Sequence, residues 1–468
     1  MPQLEIGIDP ALPGDLAGDL HRHLEVRWPE LSLTPLRLPA PRRDARDGPL
    51  LLVLQPGTAL PPGDPGERAV VCWDGSADAG GRGPLFRQVD LEIARVTAPR
   101  RGRPPAREVS PPPREMTRRA LLQIPLPLGR PLPDVPWVEG DLCLQGQGCD
   151  QCAAACPQDA IGFAGAAATV DAGRCTGCGA CVAACPTGAL ESAYLGDGQW
   201  RAALEVLESA SGAERLLLQC REVPPQTPAG DLALRVGCIA EVGWHRLVTC
   251  LAATGRLPDI ACPRGDCPLQ AEAQAALARL ALLRAASAGP AAALPPAAAP
   301  DVPKAPRRAE FSAAMRRLEG AMAEAAEEAP WPQLGWAPRI SGSCTLCSGC
   351  VHACPTQALR IEEQAEWQAL RIDPGLCTGC GACARICPEQ VLTISAALPA
   401  ELTGPRDACT EQRALCKGCG VPYETQAFVA AMRQRMAAAG FSGVLVERLD
   451  YCPECRAAVP SHQAQERG

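Results

Sequence analysis

Four short runs of cysteine, each closed by Cys-Pro, are the residues here whose type and spacing can do chemistry. The first holds Cys143, Cys149, Cys152 and Cys156-Pro157, and the second Cys175, Cys178, Cys181 and Cys185-Pro186. The third holds Cys344, Cys347, Cys350 and Cys354-Pro355, and the fourth Cys377, Cys380, Cys383 and Cys387-Pro388. Three runs read C-x2-C-x2-C-x3-C-P, while the first opens with the five residues Leu-Gln-Gly-Gln-Gly between Cys143 and Cys149. Sulfurs at such spacing present themselves around one face of a 4Fe–4S cube, and the cysteine before proline ligates the cube held by the other run. Four such clusters follow, and electron transfer is the expected function.

The ligand sets follow from that crossing. Cluster A takes Cys143, Cys149, Cys152 and Cys185, and cluster B takes Cys175, Cys178, Cys181 and Cys156. Cluster C takes Cys344, Cys347, Cys350 and Cys387, and cluster D takes Cys377, Cys380, Cys383 and Cys354. Zinc is the competing occupant, but four-cysteine zinc sites use two separated CxxC pairs rather than a triple run. The longer first gap leaves a three-iron or labile cluster A as the alternative there. Small residues between the ligands, among them Gly177, Gly179, Gly379 and Gly381, let backbone amides approach the sulfurs.

The C-terminal region does carry separated pairs: Cys416 with Cys419, and Cys452 with Cys455. They suit one tetrahedral zinc that staples a segment too small to fold alone, contributing roughly 10–16 kcal/mol. A redox dithiol or another iron–sulfur cluster are the alternatives, and Cys409 is left over. The five histidines form no recognisable site. His352 reads as a loop residue and His245 as a partly buried helix residue. No Ser-His-Asp set, HExxH, dinucleotide fingerprint or Walker lysine is present, so a carrier or accessory subunit is favoured over a stand-alone enzyme.

Composition bounds the rest. The chain has 468 residues, which implies several domains, and 27 cysteines, far above normal usage. Its start lacks a secretory pattern and no window holds 18 continuous apolar residues, so a cytoplasmic protein without a membrane span is expected. The formal charge is −7. Four clusters with their thiolates would add about eight negative charges, which argues against nucleic acid as a partner. Aromatics are only 3%, with 44 glycines and 49 prolines, so the cores must come from Ala, Leu, Val and the clusters.

The elements that position these cysteines read as an α+β multidomain chain. Residues 1–138 form an α/β or α+β domain with strands at 48–56 and 68–75, a helix from Asp15 to Val26, and a Pro/Arg linker at 98–115. Residues 139–192 form a first dicluster domain. Residues 193–287 alternate strand and helix, which suggests a small parallel α/β domain with cysteines at strand ends. Residues 288–337 comprise an Ala/Pro linker (288–309) and an amphipathic helix (311–329). Residues 338–398 form a second dicluster domain. Residues 399–468 form a tail with a helix at 424–439 and a strand at 443–449.

Residues 344–391 resemble a bacterial two-cluster ferredoxin almost throughout, and residues 149–190 do too. The resemblance implies the ferredoxin-like βαβ-repeat fold, with its clusters close enough for direct electron tunnelling. Residues 214–268 more weakly resemble the iron–sulfur delta subunit of methyl-viologen-reducing hydrogenase and heterodisulfide reductase systems. That implies an additional cluster on Cys220, Cys238, Cys262 and Cys267, against an unmetallated partner-binding domain. The overall plan resembles the large cytosolic 4Fe–4S proteins associated with bacterial formate dehydrogenases, which implies redox protein partners and an accessory role. An oxidoreductase subunit with a substrate or cofactor in the α/β domain, and a non-redox assembly scaffold, are the alternatives.

Overall fold

The computed structural model describes residues 3–8, 15–29, 32–36, 50–54, 68–72, 83–97, 135–209, 215–224, 231–262, 267, 269–287, 302–319 and 332–458. Helix and strand are mixed throughout, and the chain divides into two units. The first comprises residues 1–145, 150–296 and 324–330, and the second residues 146–149, 297–323 and 331–468.

In the first unit, β1 (Gln3–Ile8), β2 (Ser32–Leu36), β3 (Leu50–Leu54) and β4 (Arg68–Cys72) form a parallel sheet in the order β2-β1-β3-β4. Helix α1 (Leu16–Arg27) places Leu16, Leu20 and Leu24 four residues apart, all buried, as one apolar stripe. Helix α2 (Gly83–Thr97) is buried nearly all round, so its polar residues need partners. Arg95 pairs with Glu92 at 2.8 Å, and Asp90 accepts from Trp28 Nε1 at 2.8 Å.

The first cysteine runs sit among β5 (Trp137–Val138), α3 (Gln151–Ala154), β6 (Ile161–Ala164), β7 (Ala167–Val170), α4 (Ala180–Ala184) and β8 (Leu190–Glu191). The strands pair as two small antiparallel sheets, β5-β8 and β6-β7. This pairing begins at Trp137, ahead of the boundary at 139 expected from sequence.

Helix α5 (Asp197–Ser209), β9 (Arg215–Cys220), β10 (Asp231–Val236), α6 (Trp244–Thr254), β11 (Asp259–Ala261) and α7 (Gln270–Ala286) follow. The three strands form a parallel sheet in the order β10-β9-β11. Its edge strand β10 is closed by the Gln88 side chain of α2. That amide donates to Ala233 O at 2.6 Å and accepts from Ala233 N at 2.7 Å, standing in for a neighbouring strand. The segment expected to be one helix over 240–255 is a 3-10 turn at Ile239–Glu241 followed by α6, because Gly243 stands in extended geometry before Trp244.

The second unit begins with α8 (Pro306–Arg317). Two expectations change here. The helix starts at Pro306 rather than 311, where proline suits the first helical turn. It is also buried on most of its circumference instead of amphipathic, and residues 320–329 lie outside the described residues. The last part of the supposed linker, Val302 to Ala309, packs into a core with Ala358, Leu376 and Cys377. The linker at 98–115 lies outside the described residues.

Strand β12 (Trp336–Ile340), α9 (Gly349–Ala353), β13 (Leu359–Glu363), β14 (Trp367–Ile372), α10 (Ala382–Ile386) and β15 (Leu392–Ala396) carry the last two cysteine runs. β12 pairs with β15 and β13 with β14, both antiparallel. The tail is continuous with this domain: β16 (Arg406–Leu415) pairs with β14, and β17 (Pro422–Thr425) with β16. Helix α11 (Gln426–Ala438) follows. The strand expected at 443–449 is instead helix α12 (Val444–Glu447) and a 3-10 turn at Arg448–Asp450. Gly440 and Gly443, both at positive φ, bend the chain there and bring Cys452 round to Cys416. Helix α13 (Pro453–Ala458) ends the described chain.

Candidate metal centres

The local backbone repeats at all four cysteine runs. Three residues after each last cysteine the chain takes positive φ, at Asp159 (45°), Gly188 (86°), Gln357 (54°) and Gln390 (54°). The amides of Asp159, Gln357 and Gln390 donate to the carbonyls of Cys156, Cys354 and Cys387, closing a turn behind each Cys-Pro. The first run, despite its longer opening gap, therefore ends in the same geometry as the others. Inside the runs, Gly177, Gly179, Gly379 and Gly381 take the positive φ that aims amides at sulfur. Gly177 N donates to Cys175 Sγ at 3.4 Å, and Ala160 N to Cys156 Sγ at 3.2 Å.

The third run reaches this shape with larger residues. Leu346 and Ser348 adopt φ of 55° and 62° at the positions that Gly177 and Gly179 hold in the second run. Leu346 N donates to Cys344 Sγ at 3.5 Å.

Cys344, Cys347, Cys350 and Cys387 line one cavity, together with Leu346, Leu370 and Leu392. Cys156, Cys175, Cys178 and Cys181 line another, with Ile161 and Val170. Cys354 lies within electrostatic reach of Cys377 and Cys383, and Cys380 within reach of Cys383. Cys152 and Cys185 share a core against which Cys143 packs, and Cys149 is half-buried.

Thiolates at these positions need a cation. Burial, then the charges of Cys344, Cys383 and Cys347, pushes the Cys350 thiol up to about 12. Burial does the same to Cys377, to about 12, and to Cys383, to about 11 with Cys354 and Cys380 adding. Cys181 rises for the same reasons. Buried thiols raised this far would stay protonated near neutral pH unless iron took the protons' place. The donor sets fit that group.

In the tail, the sulfurs of Cys416, Cys419, Cys452 and Cys455 all lie within 4.8 Å of one another, and Cys419 Sγ is 3.8 Å from Cys452 Sγ. A tetrahedron with ~2.3 Å zinc–sulfur bonds has sulfur–sulfur edges of about 3.8 Å. Gly418 N and Cys452 N donate to Cys416 Sγ at 3.3 and 3.2 Å, and Cys455 N to Cys452 Sγ at 3.4 Å. Desolvation opposes it, yet amide donation from Cys452, Cys419 and Gly418 holds the Cys416 thiol down at about 6. These four residues can hold a metal ion.

The middle cysteines stand at the carboxyl ends of parallel strands: Cys220 ends β9, Cys238 follows β10, and Cys262 follows β11. Cys238 and Cys267 pack in one core with Cys178. Cys250 is buried in α6, its thiol pushed up to about 12 by burial. His352 is exposed, and His245 is half-buried on α6.

Two residues bear on these sites in ways the sequence did not give. Cys409 on β16 pairs with Leu370 and packs beside Cys344 in the third run's core. Arg308 on α8 is buried and faces Cys377. Only strand pairing and helix docking reveal either one.

The family model of the 4Fe-4S dicluster domain matches residues 146–189 and 343–391. The chain thus contains two ferredoxin-type 4Fe–4S domains, and Cys143 lies just ahead of the first matched stretch. No curated protein matches the chain. Among the described residues no helix is long and apolar enough to cross a membrane.

Proposed function

We propose that this protein is an electron relay in which four 4Fe–4S clusters pass single electrons between redox protein partners. The observation that carries the reading is the fourfold repetition of the positive-φ residue behind each Cys-Pro, with amide-to-sulfur bonds at three of the runs. The ligands are Cys143, Cys149, Cys152 and Cys185 for A, and Cys175, Cys178, Cys181 and Cys156 for B. They are Cys344, Cys347, Cys350 and Cys387 for C, and Cys377, Cys380, Cys383 and Cys354 for D. The cavities lined by the B and C sets support those two assignments, and the mutual reach of Cys354, Cys377, Cys380 and Cys383 supports D.

Each cluster, when bound, supplies a reversible one-electron couple. The chain's residues hold the sulfurs in place, exclude water with Leu346, Leu370 and Leu392, and donate amide hydrogen bonds that set potential. The tail cysteines hold zinc, which anchors the strands and helices after β16. The strand-end cysteines Cys220, Cys238, Cys262 and Cys267 are a candidate fifth cluster. The first partner to test is a formate dehydrogenase, on the resemblance of domain plan.

Iron, acid-labile sulfide and zinc should be measured on anaerobically purified protein, with EPR during stepwise reduction. The relay requires about sixteen irons and sulfides, one zinc and reducible clusters. Iron near twenty would support the fifth site if it forms a four-iron cluster, and near eighteen if a two-iron one. Eight irons or fewer, or clusters inert to reduction, would refute the relay.

A further inference from the structure

Arg308 of α8 is only 8% exposed and lies against the fourth cysteine run. Its Nη2 donates to Pro374 O at 3.2 Å, in the turn that leads into Cys377. Its guanidinium sits 4.3 Å from the centroid of the Phe311 ring, and its Nε has no hydrogen-bond partner among the described residues. Gly335 makes the space: a Cβ there would fall 2.5 Å from Arg308 Nη2.

A buried guanidinium is expensive unless an anion answers it. The carboxylate within its electrostatic reach, Asp373, is shared, since Arg316 approaches it at 4.0 Å. Burial lowers the Arg308 pKa to about 10, which leaves it a cation at neutral pH. Pro374 O, which accepts from Arg308 Nη2, also accepts from Cys377 N at 3.1 Å, so the guanidinium and the ligand's own amide share one carbonyl. In the third run's core the extra neighbour beside Cys344 is the thiol of Cys409.

We infer that Arg308 is a potential-setting residue that makes cluster D the electron-accepting member of the second dicluster domain. This rests on the relay reading above. Reduction adds one negative charge to a cluster, and a fixed cation in low dielectric beside one ligand favours that added charge. Electrons entering the domain would therefore settle on D before C.

The first dicluster domain offers an internal comparison. Cys175 is the counterpart of Cys377 as the opening cysteine of its run, and Arg221 lies within electrostatic reach of it. Arg221 is more exposed, its side chain at 22%, and is bonded to Glu222 at 3.1 Å. Its field at cluster B is screened and partly cancelled, so the same bias there is weaker.

The test is an EPR-monitored redox titration of the full-length protein as wild type, Arg308→Lys and Arg308→Gln, with iron content measured on each. A Cys380→Ser variant identifies the cluster D signal. In Arg308→Gln, occupancy of D relative to C should fall at least tenfold, about 59 mV for one electron, with the other clusters unmoved. Arg308→Lys should stay near wild type. Equal shifts in both variants, unchanged potentials, or loss of cluster D from both would overturn the inference. Loss of D from Arg308→Gln alone, with Arg308→Lys intact, upholds the need for a charge. A wild type without reducible four-iron clusters would overturn the relay itself, a different result from intact clusters with unmoved potentials.

Discussion

The hydroxyl of Thr425 donates to the backbone carbonyl of Thr345 at 2.8 Å while accepting from Phe428 N at 3.1 Å. One fully buried side chain therefore caps helix α11 and fastens the loop between Cys344 and Leu346. Thr425→Val should remove both bonds and cost about 1–2 kcal/mol. Urea unfolding would read the loss, and a chelator should bleach one cluster faster than in wild type. Thr425→Ser should restore most of both; equal behaviour of the two variants would refute the coupling.

Because that threonine links the tail with its four clustered cysteines to the third run, loss of a metal there should be felt unevenly. Cys419→Ser should abolish zinc binding and lower Tm by several degrees, since a structural site contributes much of its own segment's stability. Cluster C should become labile before clusters A and B. Zinc analysis and EPR on the same sample decide it, and uniform loss of all clusters would count against the linkage.

Leu346 sets two effects against each other. Its positive φ of 55° costs about 1–2 kcal/mol for a residue with a Cβ, yet its side chain is 4% exposed over the cavity of Cys344, Cys347, Cys350 and Cys387. Burying a leucine is worth about 1.5–3 kcal/mol, so burial wins and the strain persists. Leu346→Ala keeps the strain and loses the cover, and should cost about 2–3 kcal/mol. Leu346→Gly relieves the strain and should be the milder in unfolding, but both should speed chelation of cluster C.

The Arg339 guanidinium hydrogen-bonds Glu401 with both terminal nitrogens, Nη2 at 2.7 Å, and Arg406 adds a further bond. Arg339 first, against desolvation, then the Leu398 amide and Arg406, hold the Glu401 carboxyl down at about 2. A depressed folded-state pKa stabilises above the unfolded value, about 4.3, and that stability is lost as pH falls through about 2. Between pH 5 and 2 the wild type should lose about 1–2 kcal/mol more than Glu401→Gln. Parallel pH profiles of unfolding for the two proteins would refute this.

Two glycines separate steric need from chance. A Cβ on Gly243 would stand 2.5 Å from Ala183 O, where α6 begins beside α4. Gly243→Ala should cost about 1–3 kcal/mol. Gly404 has open space and an extended φ of 174°, so Gly404→Ala should stay within about 0.5 kcal/mol. Thermal unfolding of the pair is the check.

The sequence alone determined the two 4Fe–4S dicluster domains. Runs of cysteine closed by Cys-Pro are local patterns, each written within one short stretch of chain. The tail CxxC pairs are legible for the same reason, since each pair is a single knuckle. Alternating apolar runs likewise announced β9, β10, β11 and α7. What depended on distant chain could not be read. Val444 to Glu447 looks like a strand until the return of Cys452 to Cys416 demands a turn. The Ala/Pro stretch looks like linker until Val302 and Ala305 find Leu376 and Cys377. Arg308 and Cys409 acquire meaning only from a helix docked on one run and a strand added beside another. Ligand spacing is written within about ten residues, whereas the charge and packing around a cluster come from segments far along the chain, and only tertiary contact decides them.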